Sequence, residues 1–336
     1  MRPTNSSYTL FFLLLSALLL GRLSSETNAQ DSETFPDQFT ISGDFDDKDD
    51  NEELSAIAVL QGANGLLAPD EGKRVYPFTI DEKEGAITLG KDIKLTDTKG
   101  DIDIEGIAAG EKEYFIVGSH GISRKSQKYR PNGFTIWKLQ VDPDSGRPDK
   151  DSDIRRSTLA DLIALDPKLS SHYRSPLQEN GINIEGLAYD SAEGHLYAGF
   201  RAPNKGEHAF VLEVDADAVF GAEVSTDHEL HRLRLGNGYG IRDLIKVEKG
   251  FLVLAGNAAP DDAPTFDPDR EFLLFFWKGE GSSVTELAKV PKPSKDAKPE
   301  GLLLLKETAE SFDLLVISDS APNGSPTVLR VSLGAE

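Results

Sequence analysis

Short apolar runs separated by turn residues recur along the chain in a fixed order. The clearest copy starts at Gly181-Ile-Asn-Ile-Glu-Gly-Leu-Ala-Tyr-Asp190 and continues through His195-Leu-Tyr-Ala-Gly-Phe-Arg201. An earlier copy is Asp101-Ile-Asp-Ile-Glu-Gly-Ile-Ala108 with Tyr114-Phe-Ile-Val-Gly-Ser-His-Gly121. Later ones are Gly240-Ile-Arg-Asp-Leu-Ile245 with Phe251-Leu-Val-Leu-Ala-Gly-Asn257, and Lys298-Pro-Glu-Gly-Leu-Leu303 with Leu314-Leu-Val-Ile-Ser-Asp319. A worn first copy is Leu54-Ser-Ala-Ile-Ala-Val59 with Leu66-Leu-Ala-Pro-Asp70. Runs this short, rich in β-branched and aromatic residues and bounded by Gly, Pro and Asp, read as strands.

Aligning Ser55, Glu105, Glu185, Asp243 and Glu300 gives intervals of 50, 80, 58 and 57 residues. A unit of this length made of short strands is one blade of a β-propeller. The fold class is therefore all-β, with about five four-stranded blades over residues 54–336. In each copy an inner strand (184–189) comes first and a second strand (196–201) follows. A third ends at an aspartate and a tight turn, as at Asp81, Asp142 and Asp215, and a polar fourth (229–235) completes the blade. The 80-residue interval contains Ser157-Thr-Leu-Ala-Asp-Leu-Ile-Ala-Leu165, which has helical spacing after a Ser/Thr cap. It holds either an inserted helix or a degenerate sixth blade. The last copy lacks an outer strand, and Phe39-Thr-Ile-Ser-Gly-Asp-Phe45 alternates as a spare strand that would close the ring.

Residues 1–29 form a separate segment. Arg2, the apolar run 10–20 and the small residue Ala29 before Gln30 have the pattern of a secretory signal. Residues 30–53 follow as an acidic segment, and the carboxylates of 44–53 read as a solvated charge run. The chain has no cysteine, hence no disulfide framework. These features predict a secreted or periplasmic protein with no membrane association beyond the signal. Cleavage before Gln30 takes the charged residues from 36 basic and 57 acidic to 34 and 56, so the net charge moves from −21 to −22. That balance excludes nucleic acid and anionic membranes as partners and leaves a small ligand or a protein.

A blade is an up-and-down meander, so the start of its first strand and the end of its second share one rim. Connectivity thus groups Glu105 with His120, Glu185 with Arg201, Asp243 with Asn257 and Glu300 with Asp319. Glu105, Glu185, Asp243 and Glu300 would converge near the axis. They serve either as acceptors that fix blade registry or as oxygen ligands for a hard cation such as calcium. Arg201, Arg242, Lys298 and Asn257 are candidate ligand-binding groups at that rim, and His120 is a candidate acid or base. Arg124, Lys125, Lys128 and Arg130 make a local basic cluster. Motifs for nucleotide, zinc-protease or nucleophile-elbow chemistry are absent from the sequence.

Asn183-Ile-Glu-Gly-Leu187 with Ala198-Gly-Phe-Arg-Ala-Pro203, Asp103-Ile-Glu-Gly-Ile107 with Val117-Gly-Ser-His-Gly121, and Gly240-Ile-Arg-Asp-Leu244 together resemble a bacterial exported family known as domain of unknown function 3616. The resemblance spans about residues 55–333 and implies no established reaction. A looser similarity, carried by residues 103–106 and 183–186, is to the phytase-like esterase propellers. It implies a calcium-assisted hydrolase of a phosphate ester or related small anion, with Asp243 and Ser55 departing from the glutamate pattern. A propeller that only binds a ligand or partner at the same rim is the other reading, and the one preferred here. The signal pattern predicts a mature N-terminus near Gln30. Intact-mass measurement of the exported chain checks this, and a mass that retains residues 1–29 would refute it.

Overall fold

The computed structural model describes residues 35–333 except 47–49, 61, 125, 143, 149, 151–152 and 222–225. The signal pattern, the start of the acidic segment, part of the 44–53 charge run and Lys125 lie outside the described residues. Strand β1 (Thr40–Ser42) precedes five blades. The first contains β2 (Leu54–Val59), β3 (Asn64–Pro69), β4 (Arg74–Asp81) and β5 (Ala86–Leu89), and the short β6 (Ile93–Lys94) adds to β4. The second is β7 (Ile104–Ala109), β8 (Glu113–Gly118), β9 (Ile136–Gln140) and β10 (Ile154–Ser157). Helix α1 (Ala160–Leu165) leads to the third blade, β11 (Asn183–Asp190), β12 (His195–Ala202), β13 (His208–Asp215) and β14 (Glu229–Arg234), with α2 (Ala216–Val219) before its last strand. The fourth is β15 (Tyr239–Val247), β16 (Gly250–Asn257), β17 (Phe272–Trp277) and β18 (Val284–Val290). The fifth is β19 (Lys298–Glu307), β20 (Ser311–Asp319) and β21 (Thr327–Ser332). Among the described residues the long interval therefore holds a helix and no sixth blade.

The inner strands β2, β7, β11, β15 and β19 each contact the next, and β19 contacts β2, so the ring closes. Successive side chains on a strand point to opposite faces, and here each face meets a neighbouring blade. On β8, Phe115 and Val117 enter the core shared with blade three, while Tyr114 and Ile116 enter the core shared with blade one. On β16, Phe251 and Val253 pack toward blade three and Leu252 and Leu254 toward blade five. Burial on both faces is why the strands read as unbroken apolar runs rather than alternating ones. Helix α1 exists for the same reason: Leu159, Leu162 and Ile163 extend the core between blades two and three, and Leu165 is left exposed. Its side-chain cap is weaker than expected: Thr158 Oγ1 accepts from Ala160 N at 3.0 Å, and Leu159 occupies the cap position.

The N-terminal segment closes the ring by joining two blades. Residues 37–39 lie along β21, with Phe39 N donating to Pro326 O at 3.0 Å and Val328 N to Asp37 O at 2.9 Å. The chain then crosses to the first blade, where β1 pairs in parallel with β5, Thr40 opposite Ala86. The strand foreseen over residues 39–45 is thus shorter and divided between two edges. Gly85 allows the crossing, since a Cβ there would lie 2.5 Å from Pro36 Cγ. Phe35 and Phe39 are buried in the core between blades five and one, beside Tyr76, Leu315 and Ile317. We expect Phe39→Ala to cost about 3–5 kcal/mol and deletion of residues 35–42 to cost more, read as a lower urea midpoint. A midpoint unchanged by the deletion would show that this segment is not part of the ring.

Candidate functional site

Every inner strand is interrupted by a bulge at the same height. The residue left unpaired in the ladder is Ser55 in β2, Glu105 in β7, Glu185 in β11, Arg242 in β15 and Glu300 in β19. A bulge turns its extra residue out of the regular pleat, and in blades two to five that residue lines a polar cavity at one rim. The fourth copy is therefore offset by one position from the sequence alignment. Arg242, and not Asp243, stands where the other blades have glutamate. Asp243 stands where they have Gly106, Gly186 and Gly301.

The glycine position is a contact between inner strands. A Cβ on Gly186 would come within 2.8 Å of Leu244 N, and one on Gly106 within 3.0 Å of Leu187 Cβ. Asp243 fills the corresponding space with its own carboxylate, which accepts from Leu244 N and from Leu302 N of the next blade, both at 2.7 Å. Its oxygens are spent on blade registry, it does not line the cavity, and burial lifts its carboxyl to about 8 against those two hydrogen bonds.

Arg242 bridges two of the remaining acids. Its Nη1 lies 2.8 Å from Glu185 Oε2, and its Nη2 contacts Glu300 Oε1. Arg201, near the end of β12, holds the other side of Glu185 at 2.9 Å and donates to the carbonyls of Asn257, Ala258 and Ala259. Burial lowers Arg242 to about 10, opposed by Glu185, so it stays charged at neutral pH. Lys298 Nζ sits 3.2 Å from Asp319. Asn257 contributes only its carbonyl here. Its side chain folds the following loop, with Nδ2 donating to Asp267 O at 2.7 Å. His120 is fully buried away from the cavity, with Nδ1 donating to Gly118 O at 2.9 Å and Nε2 accepting from Leu159 N at 3.1 Å. Burial lowers it to about 4. It is a neutral histidine that anchors the start of α1, and both ring nitrogens are used.

Glu105 lies on the other side of the cavity, with Asp70 just after β3 and Asp103 just before β7. None of these three carboxylates forms an ion pair among the described residues. Ser119 Oγ donates to Asp103 Oδ2, and Asp103 adopts φ 61°. Asn183 also lines the cavity, 6% exposed, with its Oδ1 unpartnered. Sequence reasoning missed Asp70, Asp103 and Asn183. Two signals carried them. Asp70 directly follows the second strand of copy one, at the height where Asp319 ends that of the last. Asp103, Asn183 and Lys298 each stand two residues before the bulged acid, and all three line the cavity.

A model built from proteins described as "Protein of unknown function (DUF3616)" matches residues 53–139 and 150–327. The chain belongs to the DUF3616 family. No curated protein matches it. Among solved structures it is similar to a streptogramin B lyase, with 11% identity and TM-score 0.37 over 86% of this chain and 85% of that one. The major Malassezia sympodialis allergen Mala s 1 gives 9%, 0.41, 83% and 77%. Saccharomyces cerevisiae Sqt1 gives 12%, 0.35, 83% and 72%.

In this DUF3616 chain the rim divides electrostatically. On the Glu185–Arg242–Glu300 side, charges are paired. On the other, burial pushes Asp70 up to about 8, helped by Asp103 and Asp319. Burial also raises Asp103, against the Ser119 hydrogen bond and the charges of Arg130 and Arg124. Glu105 is raised well above the carboxylate range by burial, then by Glu185, Asp103 and Asp70, with Arg242 opposing. We expect Arg242→Ala to strand Glu185 and Glu300 and to cost about 3–5 kcal/mol, measured by denaturant unfolding. A loss below about 1 kcal/mol, the scale of an exposed pair, would show that the bridge is not a buried one.

Proposed function

We propose that this chain is an exported binding protein whose rim cavity takes a small anionic ligand through a calcium-class cation. What carries the reading is the union of three unpaired carboxylates, Asp70, Asp103 and Glu105, with the buried, unpartnered Oδ1 of Asn183 in one cavity. Four oxygen donors of this kind suit a hard cation, and a cation would offset the burial, and for Asp70 and Glu105 also the repulsion, that raises these acids. Arg124 and Arg130 line the same cavity and form no ion pair among the described residues, which leaves them available to an anionic group. Of the four carboxylates foreseen as ligands, this reading keeps Glu105 and replaces the others with Asp70 and Asp103.

A second reading rests on Asp70. A carboxyl raised to about 8 keeps its proton at neutral pH and can serve as a general acid. With a bound cation this would support calcium-assisted hydrolysis of a phosphate ester.

The raised acids fix the sign of the pH dependence. Asp70 binds its proton more tightly folded, near 8, than unfolded, near 3.9. Its contribution therefore falls as pH rises through that window and is fully unfavourable above it. Calcium displaces the proton, so binding should strengthen from pH 6 to pH 8 and release protons, as titration calorimetry in two buffers would read. Calcium should also raise the melting temperature with concentration, and Asp103→Asn with Glu105→Gln should remove that response. A melting curve indifferent to calcium in the unmutated chain would end the cation reading. Calcium-dependent turnover of p-nitrophenyl phosphate, lost in Asp70→Asn, would move the assignment to the hydrolase.

A further inference from the structure

The third blade carries a second group of ligand-type side chains, on the rim opposite the cavity. β12 begins at His195, β13 ends two residues past Glu213, and β14 begins two residues before His231. Strand start, strand end and strand start share one rim in a meander, and it is the rim away from the end of β12, where Arg201 faces the cavity. The register completes the grouping: Tyr197 pairs with Glu213, Glu213 with Glu229, and Val211 with His231.

One carboxylate is gripped from both sides. His195 Nδ1 lies 2.6 Å from Glu213 Oε1, and His231 Nε2 lies 2.6 Å from Glu213 Oε2. Glu193, in the turn before β12, joins them: one ligand atom from each of Glu193, His195 and Glu213 falls within 4.8 Å of the other two. The two histidines differ in setting. His231 is 8% exposed, its ring edge-on to Trp277 at 5.0 Å, and its Nδ1 is 3.6 Å from Glu229. His195 has a third of its side chain exposed and Glu193 is exposed, so an ion could enter from solvent on that side. Burial pushes the Glu213 carboxyl up, but the hydrogen bonds from His231 and His195 outweigh it and hold the group below its usual range. None of these side chains lines the rim cavity, so neither reading of that cavity uses them.

We propose that Glu193, His195 and Glu213 form a zinc-class transition-metal site, with His231 orienting the shared carboxylate from behind. The donor set decides the metal class. Imidazole with carboxylates suits zinc, whereas calcium takes oxygen ligands. Ligand bonds of about 2.0–2.1 Å at tetrahedral angles put nitrogen and oxygen about 3.3 Å apart. An ion replacing the proton shared by His195 and Glu213 therefore displaces the pair by less than about an ångström. The fourth position opens to solvent beside Glu193. His231 plays the outer role that metal-bound carboxylates require, because its Nε2–H fixes the far oxygen of Glu213.

The test uses the full-length chain, stripped with chelator and dialysed. Native mass spectrometry should then show one zinc ion taken up at micromolar zinc, and cobalt(II) added instead should give the visible bands of a tetrahedral site. Glu213→Gln should weaken zinc binding at least tenfold. His195→Ala, checked for an unchanged unfolding midpoint, should do the same, and His231→Gln should weaken it less than either. Binding should weaken as the pH is lowered, because metal ligands must be deprotonated to bind. An excess of calcium should not displace the zinc, which separates this site from the cavity. Failure to take up zinc, a cobalt spectrum of the free hydrated ion, or zinc uptake in His195→Ala equal to that of the unmutated chain would each overturn the proposal.

Discussion

Five inner strands must meet around a narrow axis, and that close approach governs both the fold and the rim. It demands a residue with little or no side chain where one inner strand crosses the next, supplied by Gly106, Gly186 and Gly301. It also places a bulge just before that position, so the preceding side chain turns into the channel. The glycine and the acid before it are two consequences of one packing requirement. Asp243 shows the alternative solution, in which the side chain at the crossing point becomes a strand-to-strand hydrogen-bond acceptor.

The charge pattern follows from the offset in the fourth blade. Had that blade carried glutamate at the bulge, four acids would have faced one another in a desolvated space. Arg242 instead sits between Glu185 and Glu300 and is the counter-charge for both. Arg201 ties this paired half to the loop after β16 through three carbonyls. Among the described residues, buried side-chain atoms without a hydrogen-bond partner occur on both halves of the rim: Asp70 Oδ1 and Asn183 Oδ1 on the unpaired side, Glu185 Oε2 and Arg242 Nε on the other. Folded proteins seldom leave buried polar atoms without partners unless a ligand or function supplies the reason.

The blades, their strand order and the inserted helix were legible in the sequence because burial on both faces writes long apolar runs with turn residues between them. The rim was legible in part. Glu105, Glu185 and Glu300 were placed correctly by meander connectivity. Asp243 was misaligned because Arg242-Asp243 and Glu-Gly both put a charged residue at the copy's centre. Only the register of β15 against β16 tells which of the two is bulged. His120 sat on the right loop, but nothing in its neighbours along the chain announced the Leu159 amide that engages it. The His195–Glu213–His231 group was invisible for a related reason: its members come from three strands and meet only through cross-strand register.

The segment at residues 35–42 also orders events in time. It bonds to residues nearly three hundred positions away, as in the Arg330–Asp37 pair, separated by 293 residues. The entropy of closing so long a loop grows only with the logarithm of its length, about 0.6 kcal/mol per doubling, so joining the ends is thermodynamically modest. Contacts at such separation nevertheless form late in folding. The stretch synthesised before all the blades must wait, unpaired, for the strand synthesised after them. Until it docks, β5 and β21 each present a bare edge to other chains. Asp37 within this stretch and Asp44 just after it put charge beside the exposed edges during that interval.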